Sequence, residues 1–335
     1  MIESKKYSSP WKLRAVWEKL YAEGHYTPFQ SWICNWWFYL TYGLKGSRRK
    51  YKPQFILYTD NIEICIMPIA VDRKRKKVID FSLGAPIDYY DVISSTRDVH
   101  FLSACVAKLR EMYTGYEIVL NKINENSSLY PVLCSKEVVE IEPCVKIDFT
   151  SDVYEDYYQS LSKHQRQNLR TGYNKLQREG LIWRMERYDT KHPIPKNDWK
   201  KCLAMYEERC RIKNNSGHGW KQRIADWKNR QINLINILVQ RWERAASFVL
   251  YFNSEPVAYM SGMYSDDHLT FYVPRLSCNN QYLRYDAGIL MLNETIKNLL
   301  AEGVKEIDLT RGDEPYKFAM GGGKHQNYSI RVTRQ

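Results

Sequence analysis

No stretch of this chain is apolar over the ~20 residues that a helix needs to cross a bilayer, so no membrane span is read from it. The N-terminal MIESKKYSSPWKLRAVWEKL lacks the apolar segment of a secretory signal. Eight cysteines, at 34, 65, 105, 134, 144, 202, 210 and 278, are scattered without a C-x-x-C pair. Closely spaced pairs mark zinc and redox sites, so no metal site is expected. Free thiols in a reducing cytoplasm are the simplest expectation. Acid is short too: 38 Asp and Glu face 50 Lys and Arg, for a net charge of +12 at pH 7. Residues 161–178, LSKHQRQNLRTGYNKLQR, hold no acid at all. Excess positive charge favours anionic partners: nucleotide phosphates, tRNA, an acidic acyl carrier protein, sugar nucleotides or lipid headgroups. It does not choose among them.

What is present is core material. Hydrophobic residues make up 44% of a chain of 335, enough for two domains of ordinary size. The boundary is read near 150, giving domains 1–150 and 151–335. Tyr and Trp are numerous, 26 and 10. Large aromatics with a polar handle suit cores, and also the walls of sugar- or nucleotide-binding clefts.

In the first domain, residues 11–24 read as a short amphipathic helix. Thr27-Pro28-Phe29-Gln30-Ser31 opens a second helix, SWICNWWFYLTYG, whose aromatics are read as core because it lacks a basic face. A basic loop, KGSRRKYK, precedes strands at 54–59 and 62–71. Pro68 weakens the second or puts it on an edge. A strand at 78–83 ends at Gly84-Ala85-Pro86. A helix over 97–113 and a strand over 116–120 complete this half.

Residues 121–150 connect the halves, with a strand at 144–149. The acid-free stretch 161–178 has a thin apolar seam, Leu161, Leu169 and Leu176, and reads as a helix. Its basic face is either a polyanion-facing surface or a solvated face whose stems cover the core. Gly172 sits where it could kink or end that helix. A strand at 181–188 follows. Residues 196–244 read as helical, broken near Asn214-Asn215-Ser216-Gly217-His218-Gly219. Neither His218 nor His164 carries a pattern that marks it as catalytic.

From Ala246 the pattern turns to strands: 247–252, 257–264 and 268–273, with a hairpin turn at Asn253-Ser254-Glu255-Pro256. Asp286 is positioned to cap a helix by accepting first-turn N–H groups. Ile289, Leu292, Ile296 and Leu299 follow at helical spacing, and Gly303 ends the helix. Val304–Thr310 alternates like a strand. RGDEPYK comes next, four charged residues in seven. So charged a turn after a buried strand points to a site at the strand's C-terminal end, or to a solvated loop with a local ion pair.

That C-terminal stretch resembles the CelD-like acyltransferases of the GNAT (Gcn5-related N-acetyltransferase) superfamily. The resemblance rests on Arg311, Gly312, Asp313, Glu314, Pro315, Tyr316 and Lys317. A Phe-Gln-Ser segment before a Trp-rich helix and a basic helix like 161–178 are also common in such proteins. YKFAMGGG, with Tyr316, Phe318, Gly321 and Gly322, is similar to the end of the Fem-type aminoacyl transferases. Either resemblance implies an α+β fold: a tandem GNAT-like chain with two mixed, mostly antiparallel sheets flanked by helices. The first half would be degenerate, without an acyl-carrier loop, and the second would be the transferase.

In GNAT enzymes the acyl group lies where two parallel strands splay apart, here 268–273 and 304–310. The carrier's pyrophosphate meets the N-terminus of the intervening helix, where N–H groups are unpaired and the helix dipole is positive. The resemblance thus assigns Arg284, Tyr285, Ala287, Gly288 and Ile289 to acetyl-CoA or another acyl-CoA. The chain departs from the usual Gln/Arg-x-x-Gly-x-Gly/Ala, with Ala287 and Ile289 in the glycine positions, and a carboxylate at Asp286 would repel a pyrophosphate. Asp308, then Asp313, are the candidate bases, and Tyr272 a donor or acid. Arg311, Tyr316 and Lys317 are assigned to the substrate.

Three readings follow. The first is a GNAT-type N- or O-acyltransferase that moves an acyl group, acetyl foremost, from a coenzyme A thioester to an amine or hydroxyl. Its acceptor would be a sugar or cell-surface polysaccharide precursor, and DNA is not expected as a partner. The second is Fem-like transfer from aminoacyl-tRNA. The third is an inert GNAT-fold protein that binds a carrier or polyanion.

Overall fold

The computed structural model describes residues 2–44, 51–82, 87–214 and 233–332. Most of the basic loop at 45–52, the break at Gly84-Ala85-Pro86 and the His218 loop from Asn215 lie outside the described residues. The chain divides into two compact units, Met1–Cys144 with His325–Gln335, and Val145–Lys324. The C-terminal strand therefore returns to the first unit.

Unit 1 begins with β1 (Glu3–Tyr7), α1 (Arg14–Glu23) and α2 (Trp32–Leu44). β2 (Lys52–Thr59), β3 (Ile64–Asp72), β4 (Lys77–Asp80), β5 (Ile93–Ser94), α3 (Val99–Met112), β6 (Glu117–Asn124), α4 (Tyr130–Leu133) and the start of β7 (Glu137–Asp148) follow. α1 buries Trp17, Leu20 and Tyr21, one helical stripe. α2 is entered through a capping box between Thr27 and Gln30, and it buries Trp32, Cys34 and Phe38 as a core helix. Pro68 does not mark an edge. β3 pairs with β2 along its length on one side, and on the other with β5 at Cys65–Ile66 and β4 at Ile69–Asp72. Pro68 falls between those two pairings, where its missing N–H costs no ladder bond. Its carbonyl accepts from Phe81 N at 3.2 Å and Tyr90 Oη at 2.9 Å.

Unit 2 adds α5 (Tyr154–Ser160), α6 (Lys163–Arg178), β8 (Trp183–Tyr188), α7 (Lys196–Asn214), α8 (Leu234–Arg241), β9 (Ala245–Phe252), β10 (Glu255–Tyr264) and β11 (Thr270–Cys278). α9 (Ala287–Ala301), β12 (Glu306–Arg311) and α10 (Pro315–Ala319) follow, and β13 (Gly323–Arg331) begins here. Its sheet runs β7-β12-β11-β10-β9-β8. β11 pairs with β12 in parallel, whereas β8 with β9, β9 with β10 and β10 with β11 pair antiparallel. β9 is buried along its whole length, as a strand covered on both faces must be. α9 buries Leu290, Met291, Leu292, Ile296, Leu299 and Leu300, each worth about 1.5–3 kcal/mol on full burial. Gly172 does not break α6. A Cβ there would stand 3.3 Å from Leu290 Cδ2, so the glycine lets α6 approach α9 closely.

Candidate functional site

The site begins where two strands part. β11 and β12 pair as Thr270↔Glu306, Phe271↔Ile307 and Tyr272↔Asp308, and there the parallel ladder ends. β11 runs on to Cys278 along β10 alone. At the parting, Thr310 Oγ1 donates to Val273 O at 3.2 Å, a side chain taking over from the backbone. Thr310 N donates to Asp308 Oδ1 at 2.7 Å. The φ of Thr310 is 51°, a left-handed value that a β-branched residue seldom adopts. Strain of about 1–3 kcal/mol is typical of such a position and concentrates at functional sites.

Burial alternates along β11. Phe271, Val273, Arg275 and Ser277 are buried, while Tyr272, Pro274, Leu276 and Cys278 are half-buried. Leu276 and Cys278 form one wall of a pocket of about 400 Å³, within the usual range for a small-molecule site. Ala287, Gly288 and Ile289, the first turn of α9, form a second wall. Arg209 and Ile212 of α7, Ser277, Asn280, Leu283, Asp286 and Tyr316 complete the lining.

Asp286 does not cap α9 with its side chain. It sits at φ 54°, left-handed, and makes no side-chain capping bond. A capping side chain needs an extended backbone to reach back to the first turn. Its carbonyl instead accepts from Ile289 N at 2.8 Å and Leu290 N at 3.0 Å. The first turn at Ala287 and Gly288 thus meets the pocket at the positive end of the helix dipole, without a carboxylate bonded to it. A Cβ on Gly288 would lie 3.8 Å from Cys278 Sγ and 3.9 Å from Leu276 Cδ2, so the glycine keeps the pocket open rather than relieving a clash.

The RGDEPYK turn closes one side. Lys317 is only 3% exposed. Its Nζ donates to the carbonyls of Leu309 at 3.0 Å, Arg311 at 2.8 Å and Gly312 at 3.0 Å, and lies 3.1 Å from Glu314 Oε2. The structure places Lys317 inside the turn, not on a surface where an anionic substrate would meet it. Burial pushes the Glu314 carboxyl up, but the charge and hydrogen bond of Lys317, with a backbone amide and the Arg209 charge, together hold the group below the usual range. Arg209 reaches the same carboxylate at 3.5 Å and donates to Leu276 O. Gly312 has φ 101°, and a Cβ there would stand 2.5 Å from Glu314 Oε2.

The sequence candidates separate. Ala287, Gly288, Ile289 and Tyr316 come together at the pocket. Burial pushes the Tyr316 phenol up to about 12, so it is a protonated donor at neutral pH. Tyr272 and Asp308 pair at the strand parting. Burial, then the Asp308 charge, push the Tyr272 phenol up as well. Arg284 and Tyr285 point elsewhere. Arg284 lies 3.1 Å from Glu179 Oε2, and the Tyr285 hydroxyl bonds the same carboxylate. Neither lines the pocket. Asp313 is exposed on the turn and Arg311 is half-buried in it. Arg209 and Cys278 escaped the sequence reading. The first comes from a distant helix with no pattern to mark it, and the second from a strand read as ending at 273. Burial pushes the Cys278 thiol up, so it stands as thiol.

Comparison with known proteins places this site in context. Residues 163–318 match a family model described as an acetyltransferase (GNAT) domain. That match lies within unit 2 and spans the pocket. None of the curated proteins compared with the chain matches it. Among solved structures, a conserved protein of unknown function from Bacteroides thetaiotaomicron is similar at 16% identity and a TM-score of 0.57, covering 99% of this chain and 100% of its own. FemX is similar at 9% identity and a TM-score of 0.59, covering 98% and 97%. L-PGS from Bacillus licheniformis is similar at 12% identity and 0.50, covering 81% and 82%. At these identities the likeness is one of fold. Among the described residues, no helix is long and apolar enough to cross a membrane.

Proposed function

We propose that unit 2 is an acyltransferase that draws a coenzyme A thioester, acetyl-CoA foremost, into the pocket at the start of α9. Unit 1 is then a degenerate GNAT-like half, completing the tandem arrangement. The observation that carries the reading is the coincidence of three features. The β11–β12 ladder ends at Tyr272–Asp308, the first turn of α9 is free of a side-chain cap, and a pocket of about 400 Å³ lies against that turn. Its apolar wall, Leu276, Cys278 and Ile289, suits an extended thioester arm. Arg209 supplies a cation at its edge. The thioester brings the activated acyl group; the protein brings position and proton handling.

Transfer moves the acyl group from sulfur to an amine or hydroxyl. The acceptor loses a proton, and the departing thiolate gains one. Tyr316, protonated and at the pocket, is assigned the proton to sulfur. Asp308, beside the strand parting, is assigned the acceptor's proton, with Tyr272 as the neighbouring donor. A sugar or polysaccharide-precursor hydroxyl or amine is the acceptor class that this reading carries forward. Thiol release from acetyl-CoA, measured with amino-sugar and sugar acceptors, tests it. Tyr316→Phe and Asp308→Asn are each expected to lower turnover by about 10²–10⁴-fold. Unchanged release in both would remove these assignments.

One observation favours a second reading, transfer from aminoacyl-tRNA. Lys163, Arg170 and Arg178 are exposed on α6, whereas Arg166 and Lys175 are bonded to backbone carbonyls. Steeply salt-dependent tRNA binding, lost on replacing those three residues, would support it.

A further inference from the structure

The sequence of α2, WICNWWFYLTYGL, holds no charged residue. A helix of that composition is normally covered all round. One side of α2 is covered: Cys34, Asn35, Phe38 and Thr41 are buried. The opposite side is not. Ile33, Trp36 and Leu40 share it at helical spacing, and each is only half-buried.

The turn before α1 extends this apolar strip. Pro10–Leu13 is a single 3-10 turn, begun by Ser9 Oγ, which accepts from Trp11 N at 3.3 Å. Pro10 and Leu13 are buried, so Trp11 and Lys12 are left outward, Trp11 at 55% exposed. Trp32 Nε1 donates to Pro10 O at 3.2 Å and ties the turn to α2. The Trp11 ring lies 5.3 Å from Trp36 and 5.8 Å from Trp32, and Trp32 stacks on Trp36 at 5.5 Å. Cations rim the strip. Lys12 adjoins Trp11, and the exposed Arg14 lies 4.5 Å over the Trp32 ring while pairing with Glu18 at 3.0 Å. Lys5 shares a face of β1 with Tyr7, which stands opposite Phe55, and Tyr39 of α2 meets Phe55 at 6.0 Å. Ser4 to Trp17 contains four cations and no acid. The basic flank that α2 lacks in its own sequence is thus supplied by the segment before it.

An indole joins a wide apolar ring to an N–H, and such side chains collect at the boundary between lipid and water. Lysines beside them meet anionic headgroups. A second copy of this chain fits less well, because a symmetric dimer would set the same cations against each other. We infer that Trp11, Ile33, Trp36 and Leu40, rimmed by Lys5, Lys12 and Arg14, dock unit 1 on the surface of an anionic lipid bilayer. The docking is peripheral, and it is independent of the acyl-transfer reading.

The test sediments the full chain with vesicles of phosphatidylcholine alone, and of phosphatidylcholine and phosphatidylglycerol in equal parts. Binding is expected to the mixed vesicles, far less to the neutral ones, and to weaken with salt. A chain of net charge +12 is drawn to anionic vesicles by any of its cations, so the variants decide. Lys12→Glu and Lys108→Glu alter the net charge equally. Lys108 stands on α3, whose buried side packs with Ile56 and Tyr58, across the sheet from Phe55. Lys12→Glu is expected to lower partitioning about tenfold, and Lys108→Glu no more than about twofold. Trp11→Ala is expected to lower it about tenfold as well, with thermal unfolding close to the parent's. Should Trp11→Ala fail to fold, Lys12→Glu against Lys108→Glu carries the test. The inference is overturned by absence of binding to the mixed vesicles, by equal losses in the two lysine variants, or by unchanged binding in Trp11→Ala. Self-association in the ultracentrifuge that Trp11→Ala abolishes would also overturn it, and would give the strip to a second copy instead.

Discussion

Tyr272 and Asp308 are the last pair in the parallel ladder of β11 and β12, and each has a second task. The Asp308 carboxylate accepts from Thr310 N at 2.7 Å, holding the left-handed Thr310 that turns the chain out of the sheet. The Tyr272 phenol is kept protonated by burial and by that carboxylate. Under the proposed mechanism structure and chemistry would share one side chain, and the two are separable by substitution.

Asp308→Asn retains an oxygen for the Thr310 amide, and is expected to leave unfolding within about 1 kcal/mol of the parent while lowering transfer. Asp308→Ala leaves that buried amide unsatisfied, at a cost of about 1–3 kcal/mol. Denaturant unfolding of both variants, beside their turnover, checks the split. Equal turnover in Asp308→Asn and the parent would leave the carboxylate a structural role only.

Lys317 is a staple of the turn. Lys317→Met removes the donor from three carbonyls and leaves Glu314 without its nearest buried cation. Breaking a buried pair costs about 3–5 kcal/mol, so a large fall in unfolding free energy is expected. A substrate-binding lysine would instead raise KM and leave stability intact.

The two glycines of the site are expected to behave oppositely. Gly312→Ala meets Glu314 Oε2 at 2.5 Å in a left-handed backbone, and a loss of about 1–3 kcal/mol is expected from that strain. Gly288→Ala meets only ordinary contacts, and should be close to neutral in thermal unfolding.

Unit 1 carries a pH-dependent element. Burial pushes the Asp91 carboxyl up to about 6, against bonds from the amides of Ser128, Val92 and Leu129. Its folded-state pKa lies above the unfolded value, so the folded form holds the proton more tightly. The contribution is full below the unfolded pKa near 3.8 and is lost as pH rises to about 6. Unfolding free energy measured across that window should fall with pH more steeply in the parent than in Asp91→Asn. Parallel curves would refute this.

The sequence carried the β9–β10 hairpin of unit 2, because two apolar strands flank a turn at Asn253-Ser254, both left-handed as a tight hairpin requires. It also carried α9, whose apolar spacing is regular. It did not carry Lys317's burial, because a lysine in a charged heptapeptide reads as solvated. Nor did it carry the extension of β11 through Pro274, a residue that usually argues against a strand interior. That extension brings Leu276 and Cys278 to the pocket and Arg275 to the core. Asp286 was legible as a helix start but not as a left-handed one, since residue type alone leaves its φ open.

The most direct test of the central claim is calorimetric titration of the full chain with acetyl-CoA, at low and moderate salt, beside Gly288→Trp. The account predicts saturable one-to-one binding in the parent, and loss of binding in Gly288→Trp with its thermal unfolding little changed, because the indole fills the pocket rather than the core. Absence of binding in the parent, or equal binding in both proteins, would contradict it.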